Sequence, residues 1–214
     1  MEAWIDFIAV LLVLTNLRLL GTNRLAVGIK TVAGQAVLLA AIGLLMNADS
    51  LGVRIVAVIT VSTAVKAGVM PWLLRRAARE AAVQRELEPL VGFTWSMVLG
   101  VVLLGLCFLI GRPLHLPVGV HAGILIPVSM FTIVTGLFMI VSRKKAITQV
   151  LGYLAMENGI YAFGLGFALH EPLLVEMGIL LDVFAGVFVM GIAIYHISRE
   201  FDHIDTDRLS ALRG

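Results

Sequence analysis

The chain has 214 residues, 60% of them hydrophobic and only 14% charged, with a mean hydropathy of +1.01 and a formal net charge of +2. These values lie far outside the range of soluble domains and indicate an all-α polytopic membrane protein, not a nucleic-acid binder. The single cysteine, Cys107, excludes a disulfide framework and any multi-Cys metal or cluster site within the chain.

Apolar runs of about 18 residues or more, enough to cross ~30 Å of hydrocarbon at ~1.5 Å per residue, recur at 4–20, 25–46, 52–74, 92–111, 118–141, 146–169 and 173–197. Seven spanning helices are expected. They divide the chain into a three-helix region with a charged connector over 1–91, a four-helix region over 92–198 and a tail over 199–214. Threading seven spans places Arg18, Arg24, the cluster from Arg75 to Arg85, the triplet Arg143, Lys144 and Lys145, and the arginines of the tail on one side. Only Arg54 and Arg112 fall on the other. By the positive-inside rule the first side is cytoplasmic, so the N-terminus is expected outside and the C-terminus in the cytoplasm of a cell inner membrane. Six or eight spans would mix the basic loops across both faces.

The first run carries Asp6 near its start and no basic segment before it, so it reads as a retained helix and not a cleaved signal. In the second run, Lys30 lies about six residues beyond Arg24, near enough to the cytoplasmic edge to snorkel. Lys66 in the third run lies about nine residues, or ~13 Å of helix, from Arg75, farther than a lysine stem reaches comfortably. Pro71, five residues on, frees a backbone carbonyl and can bend that helix. The charged, Ala-rich stretch from Leu74 to Leu90 is expected to lie along the cytoplasmic interface as a short amphipathic helix, either a solvated connector or a docking surface. In the fifth run, His121, Ser129, Thr132 and Thr135 are polar sites whose hydroxyls are expected to bond backbone carbonyls or neighbouring helices.

The sixth run carries Gln149, Tyr153, Glu157 and Tyr161 at four-residue spacing, one slowly winding polar stripe with Asn158 beside it. Such a stripe faces protein and not lipid. A carboxylate at this depth is unfavourable by at least ~2.5 kcal/mol, which makes Glu157 a functional candidate with a partner nearby. In the seventh run, Gly178 and Gly186 flank a second acid, Asp182, so that another backbone can approach it. Setting Gln35 against Glu157 also gives a weak internal echo, in which the first three spans parallel the last three and the first copy has a glutamine where the second has an acid.

The combination YLAMENG, LLVEMGILLD, KAGVMPWLL and DRLSALRG resembles the hydrogenase-4 component E family, membrane subunits of formate hydrogenlyase-type and related group 4 membrane-bound hydrogenase complexes. Its C-terminal half, with the last three helices, is similar to the K subunit of complex I. The resemblance implies a non-catalytic subunit whose partners are antiporter-like and quinone- or hydrogenase-anchoring membrane subunits and the lipid bilayer. It implies that Glu157 and Asp182 match two carboxylates that take part in proton translocation, Asp182 with aspartate in place of glutamate, and that Gln35 and Lys66 stand where the family carries these residue types. The expected proton path is therefore Glu157, Asp182, Lys66, Lys30, Gln35, Tyr153 and Gln149. Two other readings stay open: a subunit of a multi-subunit cation/proton antiporter, and a structural adaptor in which Lys66 holds Glu157 or Asp182 in a buried ion pair. No nucleophile elbow, HExxH pattern or phosphate-binding glycine loop occurs, so no catalytic residue, metal ligand or cofactor is expected in this chain.

Overall fold

A computed structural model describes residues 2–48, 52–80, 91–111, 123–143 and 145–167. Their secondary structure is helical: α1 Glu2–Gly21, α2 Leu25–Met46, α3 Val53–Ala64, a π-helical turn Val65–Val69, α4 Met70–Glu80, α5 Phe93–Gly111, α6 Leu125–Ser142 and α7 Ala146–Phe167. In α1, Glu2 in the first turn and Arg18 in the last complement the helix dipole. At the start of α2 the carbonyl of Arg24 accepts from the amides of Val27 and Gly28 at 3.0 and 3.1 Å. At its end, Asn47 Nδ2 donates to the carbonyl of Gly43 at 2.8 Å and closes one of the orphan carbonyls.

The backbone stays in the right-handed helical region across Ala64, Val65 and Met70, so α3, the π turn and α4 form one helix. Pro71 lacks an N–H, which removes the usual partner of the carbonyl four residues earlier, at Ala67. The widened turn falls at this position. The described start of the charged, Ala-rich stretch, 74–80, is thus the end of this helix. Leu74 and Ala77 are buried, and Leu74 packs with Ile29 of α2 and Leu151 of α7, so the third spanning helix runs on to Glu80. An amphipathic pattern that suits an interface equally suits a helix end docked on its neighbours. The rest of that stretch, 81–90, lies outside the described residues, as do the seventh run and Asp182.

Five helices among the described residues are long and apolar enough to cross a membrane: Glu2–Gly21, Leu25–Met46, Val56–Arg79, Phe93–Gly111 and Leu125–Ser142. The 22 residues of α7 would extend ~33 Å, but Thr148, Gln149, Glu157 and Asn158 dilute its apolar content. The chain is thus an all-helical polytopic membrane protein; of the seven expected spans, five meet this test among the described residues and the seventh lies outside them.

Two helical hairpins organise the bundle. The pair α1 and α2 turns at residues 22–24, the pair α6 and α7 consists of consecutive helices that end at Ser142 and begin at Ala146, and α1 packs on α6 while α2 packs on α7. The most extensive contact is between α6 and α7. There a Cβ added to Gly136 would lie 2.6 Å from the carbonyl oxygen of Gly152, and one added to Gly152 would lie 2.8 Å from Met139 Cβ. The two backbones approach too closely for any side chain at these glycines.

Apolar side chains form two layers. The layer at the Arg-rich end holds Leu19, Leu20, Leu25, Ile29, Val32, Met139, Leu151 and Leu154; the other holds Ile5, Ile8, Leu12, Leu39, Ile42, Leu125, Val128 and Ala162. Between them, on all four helices, the sequence places polar groups: Asn16 on α1, Gln35 on α2, Thr132 on α6, and Glu157 and Asn158 on α7. Each is buried, at 3% exposure or less.

Candidate functional site

This polar layer contains a buried ion pair. Lys66 Nζ stands 3.1 Å from Glu157 Oε1, with side-chain exposures of 8% and 3%. Lys66 reaches α7 from the π turn, where the extra residue per turn shifts side-chain direction relative to a regular α-helix. Its ammonium also lies over the ring of Tyr161, 4.9 Å from the centroid. Tyr161 follows Glu157 by four residues and therefore sits one turn along the same helix face. Its hydroxyl approaches α2 beside Gly43, where an added Cβ would be 3.8 Å away.

Next to the charged pair runs a chain of neutral hydrogen bonds. Asn158 Nδ2 donates to the carbonyl of Val32 at 3.2 Å and to Gln35 Oε1 at 3.4 Å. Gln35 Nε2 donates to Asn16 Oδ1 at 2.8 Å and to Thr15 Oγ1 at 3.0 Å. Asn16 Nδ2 donates to Thr132 Oγ1 at 2.7 Å, and Thr132 in turn donates to the carbonyl of Val128 at 2.8 Å. The donors all point the same way, so four helices are joined without a donor facing a donor. A buried amide left without partners costs ~1–3 kcal/mol, and this arrangement avoids that cost for Gln35 and Asn16.

The expected path residues separate into groups. Glu157 and Lys66 meet directly, and Gln35 lies one hydrogen bond from Asn158. Gln149 donates to the carbonyl of Arg143 at 3.0 Å and so closes the turn between α6 and α7. Tyr153 is half-buried against the apolar layer at the Arg-rich end. Lys30 is exposed on the outer face of α2, away from the polar layer. Asp182 lies outside the described residues.

Sequence reasoning passed over two residues. Asn16 is fully buried and joins α1 to both α2 and α6; its only signal was an amide within the run LLVLTNLRLL. Arg143, the first charge of the basic triplet, is likewise fully buried. Its Nη2 donates to the carbonyl of Leu20 at 3.3 Å, and its guanidinium lies over Phe93 with 5.1 Å to the centroid. Burial pushes this guanidinium below the usual arginine range.

Comparison with known proteins bears on what this layer belongs to. The family described as NADH-ubiquinone/plastoquinone oxidoreductase chain 4L matches residues 124–214. Hydrogenase-4 component E of Escherichia coli is 30% identical over 145 residues, covering 68% of this chain and 67% of that protein. The chain belongs to the hydrogenase-4 component E family. An uncharacterized protein of Mycobacterium tuberculosis is 34% identical over 213 residues, 98% of this chain and 96% of its own length. No solved structure matches. Within this component E chain, Glu157 and Asn158 fall inside the segment similar to chain 4L, whereas Lys66, Gln35 and Asn16 precede it. The ion pair and the amide chain therefore both join the 4L-like hairpin to the N-terminal helices.

Proposed function

We propose that this chain is a non-catalytic membrane subunit of a complex I-like, hydrogenase-type energy-converting complex, and that Glu157 takes up and releases a proton there under the control of Lys66. The similarity to chain 4L and to hydrogenase-4 component E supports the subunit reading. The observation that carries the relay is the Lys66 and Glu157 pair at 3.1 Å between two apolar layers. A carboxylate so placed is stabilised as the anion by the adjacent ammonium and disfavoured as the anion by its burial. These opposed influences let a modest displacement of either group change its protonation, which a relay requires.

The amides of Asn158, Gln35 and Asn16 do not titrate near neutral pH, so in this reading they fix the geometry around Glu157 and are not steps of the path. Proton transfer to and from Glu157 then involves groups of neighbouring subunits or Asp182, and Lys30 on the outer face of α2 is a contact for such a neighbour. The chain sits in the cell inner membrane with its Arg-rich ends in the cytoplasm.

The test is Glu157→Gln in membrane vesicles holding the assembled complex. This change keeps the volume and most hydrogen bonding but removes titration. The complex should assemble, and proton translocation coupled to turnover should fall at least tenfold. Translocation at the wild-type rate by the assembled variant would refute the relay.

A structural-adaptor reading has one observation in its favour: the hydrogen-bonded amides and the ion pair together tie five helical segments into one unit. Under that reading, neutralising Lys66 and Glu157 together would restore both assembly and translocation.

A further inference from the structure

We propose that the Arg143 guanidinium and the N-terminus of α5 form a binding site for the phosphate of a phospholipid in the leaflet at the Arg-rich end; the site is separate from the polar layer and does not rest on the relay reading. Arg143 is fully buried and forms no ion pair among the described residues. Its Nη2 donates to the carbonyl of Leu20 at 3.3 Å, but its Nε and Nη1 meet no acceptor among the described residues. A buried cation without an opposite charge is strongly disfavoured. An anion supplied from outside the chain removes that cost, and the planar set of guanidinium donors suits a phosphate.

The guanidinium lies over the ring of Phe93, 5.1 Å from its centroid, and Phe93 is the first residue of α5. The carbonyl of Gly92 accepts from the amide of Ser96 at 2.9 Å and so begins the helix ladder. The amides of Phe93, Thr94 and Trp95 come before that first bond and have no partner within the helix. Gly92 has no side chain to cap them, and the first turn carries no acid to complement the dipole. An uncapped helix N-terminus and a buried cation with unused donors therefore meet at Phe93, and both favour an anion. Gly92 and Thr94 are exposed and Phe93 is only partly buried, so rotation of its ring opens the guanidinium to an anion at the helix end without parting the helices.

Two observations select a lipid over a free anion. Trp95 and Trp72 are 71% and 57% exposed at this end of the bundle, and exposed tryptophans of a membrane protein mark the level of the lipid headgroups. Along the same helix from Trp95, Val98, Val102, Leu106 and Leu109 recur at intervals of three and four, all of them exposed. The stripe leads from the helix N-terminus toward the bilayer interior and offers an acyl chain a continuous apolar surface.

The full chain purified in detergent tests the site with three probes: phosphatidylglycerol, the diacylglycerol with the same acyl chains, and inorganic phosphate. Native mass spectrometry should show saturable binding of phosphatidylglycerol, about tenfold or more tighter than either control, and Arg143→Gln should weaken it by about tenfold or more. Inorganic phosphate or diacylglycerol bound as tightly as phosphatidylglycerol would overturn the assignment to a lipid phosphate. Equal phosphatidylglycerol affinity in wild type and Arg143→Gln would overturn the site itself. Where Arg143→Gln does not fold, phosphatidylglycerol with a photoreactive diazirine on its headgroup decides on the wild-type chain. Cross-links concentrated at 92–95 and 142–143 support the site, and cross-links that leave out both stretches overturn it.

Discussion

Lys66 and Glu157 meet at 3.1 Å in a layer where the four surrounding helices all place polar side chains, with apolar layers on both sides. The pair exists because a π turn directs Lys66 from the third spanning helix toward α7, and because the amide chain through Gln35 and Asn16 fixes α7 against α1 and α2.

Removing one member of this pair leaves a buried charge, which typically costs ~3–5 kcal/mol. Lys66→Met in detergent-purified protein should therefore unfold at markedly lower temperature. Adding Glu157→Gln to Lys66→Met should recover most of the loss, since the stranded charge is gone. Thermal melts of the two single variants and the double variant give the coupling directly. Additive losses would mean that the two side chains do not interact in the folded protein.

The π turn makes a separate prediction. Deleting Ala67 should convert the widened turn to regular α-helix; because that turn holds one extra residue, the flanking segments keep nearly the same relative orientation while the direction of Lys66 within the turn changes. Lys66 would then point away from Glu157, and the melt should resemble that of Lys66→Met. Combined with Lys66→Met, the deletion should add little. A deletion variant as stable as wild type would show that the turn has no part in directing the lysine.

Close backbone contact between α6 and α7 predicts a contrast between glycines. A methyl group at Gly136 meets backbone atoms of Gly152 and Met156, whereas one at Gly68 meets nothing within 4 Å. Gly136→Ala should destabilise by about 1–3 kcal/mol or more, visible as a lower melting temperature. Gly68→Ala should be neutral or slightly stabilising. Equal effects would contradict the close crossing.

Topology can be read from two exposed turns. Asn23 lies between α1 and α2, and Ala48 follows α2 at the opposite end of the bundle. Single cysteines introduced by Asn23→Cys and Ala48→Cys, in a Cys107→Ser background, should be labelled by impermeant maleimide from the cytoplasm and from outside, respectively. Labelling of both from one side would overturn the proposed orientation.

Much of this was legible in the sequence because the constraint is local. Apolar length gives the spans, and four-residue spacing places Glu157 and Tyr161 on one face of α7. Depth counted from Arg75 marks Lys66 as too far in to snorkel, yet the sequence left its partner open between Glu157 and Asp182. What escaped depends on contacts distant along the chain. Asn16 bonds to Thr132, 116 residues away, and a lone amide in an apolar run has no period to reveal its direction. Arg143 counted correctly as a basic charge at a helix end, but counting charge does not tell whether the side chain turns outward or folds back over Phe93. That the third helix continues through Glu80 is not legible locally, because Leu74 and Ala77, three residues apart, suit a docked helix as well as an interfacial one.

The central claim is that Glu157 changes its protonation state during turnover. Infrared difference spectroscopy of the assembled complex in membranes measures this through the C=O stretch of a protonated carboxyl group, assigned to Glu157 by its loss in Glu157→Gln. The account predicts a band that rises and falls as turnover is started and stopped, and that is missing from the Glu157→Gln spectrum. A difference spectrum identical in wild type and Glu157→Gln would mean that Glu157 keeps one protonation state throughout, and would contradict it.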